Sequence, residues 1–257
     1  MPELPEVEAA LRRLERAAVG RVVARVQLFH ATLRRQVSAV RLRSLSGAQI
    51  DRVERRGKHQ LLHFADGRIL HVHFRMNGDW EFGRATDALP RFARAVLEFN
   101  DGTRVALVDS RALGTLNLHA AGAVLDLGLG PDAADPAWTG DHLAAALASR
   151  RGPIKPALLD QKLVAGLGNI YVVESLWRAR IDPRASSREL TSSQVRALRR
   201  AIAAVLKRAT GARYTDDSTL ALNVYDREGL PCKRCDAVIR RIVQAGRSTY
   251  YCASCQK

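Results

Sequence analysis

Four cysteines near the C-terminal end stand in two pairs, and they give the clearest chemical signal in the sequence. Two residues separate Cys232 from Cys235, two separate Cys252 from Cys255, and sixteen lie between the pairs. Thiolate pairs at this spacing are typical of a tetrahedral zinc site, with a redox or disulfide pair as the alternative. Because four thiolates leave no open position for a substrate, we expect one structural Zn²⁺ per chain.

The N-terminus offers a second candidate for chemistry. If Met1 is removed, Pro2 presents a secondary amine that can attack an aldehyde-like carbon and form an iminium. Glu3 would stand beside it as an acid or base, and Lys58, after Gly57, could reach a phosphate or move a proton. Taken singly, these residues are also explained by an ordinary helix start and a turn lysine.

The charge balance favours a polyanionic partner. The 257 residues include 41 Lys and Arg against 26 Asp and Glu, a formal net charge of +15. The excess lies in three of four successive stretches, 1–58, 131–225 and 226–257, so it is not a basic tail. Nucleic acid bound across several elements would explain this spread, whereas solubility charge in an arginine-rich chain is the alternative.

The same composition excludes several classes of protein. With 47% hydrophobic residues the chain can form a substantial core, which excludes wholesale disorder. No apolar run approaches the 18 or so residues of a membrane span, and the acidic N-terminus does not resemble a signal peptide. We therefore expect no membrane association and a location in the cytosol or nucleoid.

The elements that must position these residues change in type along the chain. Residues 3–19 are predicted to form a helix, because Leu4, Val7, Leu11 and Leu14 recur at three- and four-residue steps. Short β-rich runs follow up to about residue 118 and predict a sandwich or barrel-like sheet. These runs are Arg21–Leu28, Gln60–Phe64, Ile69–Phe74, Ala95–Phe99 and Arg104–Val108.

Residues 119–140 are rich in Gly, Pro and Asp and are interpreted as a linker, after which the periodicity becomes helical. The predicted helices are Asp141–Ser149, Pro156–Val164, Asn169–Ala179 and Ser192–Ala209. The Gly166-Leu167-Gly168-Asn169 turn would let the backbone approach a phosphate, with Asn169 capping the following helix. Between the cysteine pairs, Val238–Val243 and Thr249–Tyr251 predict a β-hairpin that carries Arg240, Arg241 and Arg247 toward phosphate or into solvent.

Taken together, these segments resemble formamidopyrimidine-DNA glycosylase, whose family also includes endonuclease VIII. The resemblance runs the full length of the chain and rests on the cysteine finger and four motifs: Met1–Glu8, Arg56-Gly57-Lys58, Ile154-Lys155-Pro156 and Gly166–Tyr171. It implies an α+β multidomain fold. A catalytic domain of residues 1–130, an N-terminal helix on a two-layered β-sandwich, would precede a helix–two-turn–helix domain of residues 131–225. A zinc β-hairpin finger of residues 226–257 would follow.

The resemblance also implies roles for the catalytic candidates. Pro2 would attack the sugar C1′ and displace a flipped base, with Glu3 as general acid and Glu6 close by. Lys58 matches the family lysine assigned to β-elimination. Arg247 matches the finger arginine that holds phosphate and is assigned to δ-elimination.

Five further positions match DNA contacts of the family. Asn169 matches the turn asparagine that contacts the backbone phosphates, and Arg150 stands where the family has a basic DNA contact. Met76, Arg111 and Leu113 match the three side chains that fill the gap left by the flipped base, with Arg111 reading the estranged cytosine.

Three features depart from the family pattern. Leu113 stands where the family has Phe, and it stacks less well on bases. Phe92 stands where the family has a histidine that contacts DNA. The segment Thr210–Tyr225 is shorter than the loop that many members fold over an oxidised guanine.

The predicted function is therefore that of a bifunctional DNA glycosylase and abasic-site lyase of base excision repair. It would remove formamidopyrimidines and 8-oxoguanine from damaged double-stranded DNA through a Schiff base on Pro2, then carry out β,δ-elimination, acting as a monomer. One alternative keeps this chemistry but moves the substrate to oxidised pyrimidines. Another is a non-catalytic, lesion-binding zinc-finger protein, which retention of Met1 would favour because the Pro2 amine would then be blocked.

Overall fold

The computed structural model describes residues 1–31, 33, 37–209 and 221–257. The first helix, α1 (Leu4–Ala18), confirms the periodicity of the sequence, since Leu4, Val7, Leu11 and Leu14 are all buried. After it, Gly20 has a left-handed backbone, φ +79°, which favours glycine. Its amide donates to the carbonyl of Ile50. Helix α1 thereby ends where the chain enters the first sheet.

Two four-stranded antiparallel sheets follow. The first has the order β1-β6-β7-β5 and the second β2-β3-β4-β8. A short helix, α2 (Ala39–Arg43), stands between β1 and β2. The strands are β1 (Val23–Leu28), β2 (Ile50–Arg56), β3 (His59–Phe64), β4 (Ile69–His73), β5 (Asp79–Arg84), β6 (Ala93–Phe99), β7 (Thr103–Val108) and β8 (Thr115–His119).

The inner faces of both sheets share one hydrophobic core with α1. Val26 and Leu107 from the first sheet, Leu62 and Val72 from the second and Leu14 from α1 belong to the same buried cluster. A two-layered β-sandwich with an N-terminal helix, as expected, is therefore confirmed. The sequence runs had not predicted β2, β5 or β8, because these strands contribute only one or two fully buried side chains each.

The described residues separate into two compact units, Met1–Asp126 and the residues from Leu127 onward. The division falls inside the predicted linker 119–140. The second unit contains α3 (Gly140–Ala148), α4 (Ile154–Leu159), α5 (Asn169–Ala179), a 3₁₀ turn (Ser187–Glu189), α6 (Ser192–Ala209), and the hairpin β9 (Arg240–Gln244) and β10 (Arg247–Tyr251).

The helix predicted at Pro156–Val164 differs in the structure, where α4 begins at Ile154 and ends at Leu159. Asp160 adopts an extended backbone that ends the helix. Its carboxylate accepts a hydrogen bond from the amide of Lys162 and so forms an Asx turn. Residues 210–220, most of the short segment noted above, lie outside the described residues. Among the helices that the structure describes, none is long and apolar enough to cross a membrane.

Candidate active site and nucleic-acid interface

The first candidate site is built on the start of α1. Glu3 is the N-cap residue and forms a capping box with Glu6: each side chain accepts a hydrogen bond from the other residue's backbone amide. The bond from the Glu3 amide to Glu6 Oε2 is 2.8 Å long. Both carboxylates are buried, with Glu3 only 2% exposed. The capping box thus fixes two acidic side chains beside the N-terminus.

The α-amino group at this end lies in an unusual electrostatic environment. Burial lowers the pKa of the Met1 amine to about 6, although the Glu3 and Glu6 carboxylates raise it; Lys58 and Arg111 lower it further. The structure therefore brings all four side chains within electrostatic reach of the terminal amine. An amine held in this environment is mostly neutral at pH 7 and available as a nucleophile.

Lys58 reaches this environment through the tight hairpin between β2 and β3. Gly57 has φ +58° and precedes Lys58, as expected for a two-residue turn with glycine at its first central position. Arg55 links the hairpin to α1, because its guanidinium donates to Glu8 Oε2 (2.8 Å) and to the Gly57 carbonyl (2.9 Å). Lys58 itself is only 6% exposed, which is rare for a lysine and indicates a positioned ammonium.

Two loops of the first unit, 75–78 and 109–114, carry the candidate wedge residues, and we call them the wedge loops. Asp109, 1% exposed, organises the second loop: its carboxylate accepts hydrogen bonds from the amides of Arg111 (3.0 Å), Leu113 (2.7 Å) and Gly114 (2.7 Å). This bonding leaves the Arg111 and Leu113 side chains exposed. Their side chains are free to contact a partner while their backbone is fixed.

The two wedge loops are joined to each other. The side-chain amide of Asn77 donates to the hydroxyl of Ser110 over 3.2 Å. Met76, next to Asn77, is half-buried. The structure thus links the loop of Met76 to the loop of Arg111 and Leu113, although the two loops are far apart in sequence.

In the second unit, Asn169 does not cap α5, contrary to the expectation from the sequence. The N-cap residue is Gly168, and Asn169 is the first helical residue. Its side-chain amide instead donates to the carbonyl of Ser248 (2.9 Å), next to Arg247. The glycine turn thus places Asn169 against the finger hairpin. Asn169 Oδ1 is buried and has no partner among the described residues.

Lys155 is a candidate whose role sequence reasoning missed, although its motif was recognised. It is fully buried, and its Nζ has no hydrogen-bond partner in the described part of the chain. Burial, and then the nearby Arg247 guanidinium, lower the pKa of Lys155 to about 8. A buried, unpartnered ammonium beside an exposed guanidinium is an arrangement that an anion would stabilise. A lysine at a helix start, next to a proline, was the only signal in the sequence.

The remaining basic candidates of the second unit differ in their surroundings. Arg150 forms an ion pair with Asp160 (2.9 Å), so that its guanidinium is already partly neutralised. Arg240 and Arg247 lie exposed on β9 and β10, while Arg241 donates to the Ser248 hydroxyl. The hairpin confirms the predicted β-finger and directs basic side chains outward.

The four cysteines fit a zinc ion. All are free thiols, and their sulfurs lie within 4.8 Å of one another. Individual Sγ–Sγ distances of 3.2, 3.5 and 3.9 Å lie near the ~3.8 Å that tetrahedral Zn–S bonds of about 2.3 Å require. Cys232, Cys235, Cys252 and Cys255 would hold the ion, which would serve only to stabilise the finger. The indole N–H of Trp177 donates to Cys232 Sγ (3.4 Å) and so connects this site to α5.

Removal of zinc should unfold the finger. In the absence of the metal, four thiolates this close would repel one another, and Cys232 and Cys252 belong to a small core with Trp177 and Tyr250. We expect a chelator to release about one zinc per chain and to change Trp177 fluorescence, with readdition of zinc restoring both. A Trp177→Phe variant offers the control: its emission comes from Trp80 and Trp138, which are both buried outside the finger core, and it should change far less.

Comparison with known proteins gives matches along the whole chain. Residues 1–116 match the family described as formamidopyrimidine-DNA glycosylase N-terminal domain, and residues 129–219 match the H2TH domain of the same enzyme. Residues 229–257 match the zinc finger found in FPG and IleRS. The formamidopyrimidine-DNA glycosylases of Paracoccus denitrificans and Enterococcus faecalis are 40% and 36% identical to this chain; each alignment covers all of this chain and 100% and 98% of the relative.

Solved structures give the same result. The chain is 31% identical to Lactococcus lactis formamidopyrimidine-DNA glycosylase bound to DNA with an abasic site, with a TM-score of 0.91 and 99% of each chain covered. It is 32% identical, again with a TM-score of 0.91 and both chains fully covered, to a protein named MutM in complex with DNA containing carbocyclic 8-oxoguanine. On these grounds, the chain belongs to the formamidopyrimidine-DNA glycosylase family, whose members are DNA glycosylases of base excision repair.

Proposed function

We propose that this DNA glycosylase removes oxidised purines, formamidopyrimidines and 8-oxoguanine, from damaged double-stranded DNA and then cuts the abasic strand. The observation that carries the proposal is the desolvated terminal amine beside two buried carboxylates and a buried lysine. Once Met1 is removed, the same groups would surround the secondary amine of Pro2. A protein that only binds DNA does not need a neutral amine. Burying the amine costs free energy, because its charged form loses hydration.

In the proposed reaction the Pro2 nitrogen attacks C1′ of the damaged nucleotide, and the bond from C1′ to the base breaks. Glu3 supplies a proton as the base leaves, and the opened sugar remains bound to Pro2 as an iminium. Loss of a proton from C2′ then expels the 3′ phosphate, with Lys58 assigned to this step. A second elimination expels the 5′ phosphate, with Arg247 assigned to it on the strength of the family resemblance.

The basic residues of the second unit would bind the DNA backbone. Lys155 has no anionic partner in the described part of the chain, and the Arg247 guanidinium lies near it, so that a phosphate would satisfy both cations. Asn169, which donates to the Ser248 carbonyl beside Arg247, would donate the second N–H of its side-chain amide to the DNA backbone. In the first unit, Met76 and Leu113 would fill the gap left by the extruded nucleotide while Arg111 reads the orphaned base. Such a protein would work as a monomer in the bacterial cytosol, where its DNA substrate lies.

Borohydride trapping on a duplex with one abasic site tests the nucleophile. Wild-type protein should form a covalent band, and Pro2→Gly should weaken it while DNA binding survives, because glycine lacks the secondary amine. Pro5→Ala, in the first turn of α1, is the matched control and should trap like wild type. Equal loss of binding and trapping in Pro2→Gly would contradict the assigned role, and retained Met1 in the mass spectrum would favour a non-catalytic protein.

The pH profile of trapping tests the environment of the amine. Only the neutral amine attacks, so the rate should rise as pH passes upward through the pKa of the amine, which we expect below the ordinary 8. The Glu6 carboxylate raises the pKa of the terminal amine, so Glu6→Gln should move the midpoint to lower pH. Glu15→Gln is the control, because Glu15 lies exposed in the last turn of α1, away from the terminal amine. A midpoint that Glu6→Gln raises would contradict the arrangement.

A cleavage panel of duplexes tests the substrate. A second candidate, the oxidised pyrimidines, deserves inclusion because one Lactococcus lactis relative, 30% identical with a TM-score of 0.90, was solved with oxidised-pyrimidine DNA. We expect faster cleavage of formamidopyrimidine and 8-oxoguanine duplexes than of thymine glycol duplexes under single-turnover conditions. Preference for thymine glycol would favour the second candidate.

A further inference from the structure

Three non-glycine residues among those described in the first unit have a left-handed backbone: Arg75 (φ +55°), Phe92 (φ +66°) and Ala112 (φ +52°). Bulky side chains disfavour this conformation, and backbone strain of this kind collects where function requires a particular geometry. Arg75 precedes Met76, and Ala112 precedes Leu113, so two of the three strained residues lie in the wedge loops. The third, Phe92, has no role in the reaction described so far.

Phe92 is attached to the wedge loop 109–114 through Asp109. The amide of Asp109 donates to the Phe92 carbonyl over 3.1 Å, which extends the β6–β7 pairing by one step. The Asp109 carboxylate in turn holds the amides of Arg111 and Leu113. One buried residue therefore fixes the strained backbone of Phe92 and the backbone of the predicted wedge.

The side chain of Phe92 is 42% exposed and lies close to two cations. The Arg91 guanidinium carbon is 4.6 Å from the ring centroid, and that of Arg94 is 5.9 Å away. Arg94 also donates to the Asp109 carbonyl (2.6 Å), so its position is fixed by the same loop. An exposed ring with guanidinium groups nearby offers apolar surface to a base or sugar and positive charge to the neighbouring phosphates.

We propose that Phe92 is a DNA-stacking residue, which packs against the strand opposite the lesion and shares the wedge function with Leu113. This inference rests on the proposed function, since it assumes that Arg111 and Leu113 enter the DNA. Leu113 offers no aromatic face, and Phe92 supplies one from a position fixed by the same Asp109. Arg91 would add a phosphate contact beside the ring.

The chain contains a matched comparison. Phe82 lies on β5 of the same sheet, is 39% exposed and has a guanidinium, that of Arg13, 6.0 Å from its ring. Its backbone is ordinary β-strand, and no hydrogen bond in the described structure joins it to Asp109. If exposure alone made a phenylalanine bind DNA, Phe82 and Phe92 would behave alike.

The decisive variant is Phe92→Asn, with Phe82→Asn as control. Asparagine adopts the left-handed conformation readily, so the thermal midpoint of Phe92→Asn should equal or exceed that of wild type while the ring is lost. Affinity for an abasic-site duplex should fall about tenfold, as expected for a lost base–aromatic contact. Phe82→Asn should bind this duplex like wild type, and Phe92→Trp should retain affinity because indole also stacks.

Two further measurements separate stacking from charge. The slope of log K against log salt should stay unchanged in Phe92→Asn but fall by about one in Arg91→Gln. With 2-aminopurine placed opposite the abasic site, binding of wild-type protein should change the fluorescence more than binding of Phe92→Asn. A matching change in Phe82→Asn would contradict a specific contact.

The inference would be overturned if Phe92→Asn kept wild-type affinity and the wild-type fluorescence change. It would also be overturned if Phe92→Asn and Phe92→Trp lost affinity equally. Failure of the proposed function looks different, because wild-type protein would then give no borohydride-trapped band. If Phe92→Asn folds poorly, Phe92→Gly removes the ring with even less backbone strain, and the same affinity criterion applies.

Discussion

The capping box at the start of α1 is the interaction on which the proposed chemistry depends. It satisfies backbone amides that a helix start leaves unpaired, and it does so with the two carboxylates that face the terminal amine. The hydrogen bonds that begin α1 therefore also set the electrostatic environment of the terminal amine. The cost of burying Glu3 and Glu6 is offset by these hydrogen bonds and by the nearby cations, which keeps acidic groups in a desolvated place. The Glu8–Arg55 pair then brings the hairpin of Lys58 to the same helix.

Asp109 has a corresponding role for the wedge loops. A single buried carboxylate that accepts three backbone amides can hold a loop in a strained shape without support from the side chains of that loop. The side chains of Arg111 and Leu113 can therefore be exposed. For an apolar side chain such as Leu113, exposure does not contribute to stability. The left-handed residues beside the wedge positions are consistent with a surface shaped for a partner rather than for maximal stability.

In the second unit, the zinc finger and the helices are built around shared residues. Trp177 of α5 contacts Cys232, and Glu174 of the same helix accepts hydrogen bonds from the amides of Asn223, Val224 and Tyr225 (2.8–3.0 Å). These bonds anchor the chain that leads into the finger. Because Asn169 begins the same helix, the helix connects the phosphate candidates to the zinc site. Metal binding and placement of Lys155 and Arg247 should therefore be coupled within this unit.

What could be predicted from the sequence was local. The spacing of the four cysteines determined a zinc site, the period of the leucines determined α1, and the glycine turn and the run 192–209 determined helix limits that the structure reproduces. Strands β2, β5 and β8 escaped prediction because each places only one or two side chains fully in the core, too few for a β-rich run. The prediction that Asn169 caps α5 was wrong because the partner of its side chain, Ser248, lies 79 residues away.

Tertiary structure alone decided the state of the charged groups and of the backbone. Nothing in the types of Glu3, Lys58 or Lys155 shows that they are buried. Burial is what lowers the pKa of the terminal amine and of Lys155. The strained conformation of Phe92 likewise follows from its pairing with Asp109, not from its neighbours in sequence. The sequence by itself determined which reactive groups are present, since residue type and short spacing carry that information. Their protonation and mutual position depend on contacts between distant segments, which only the folded chain creates.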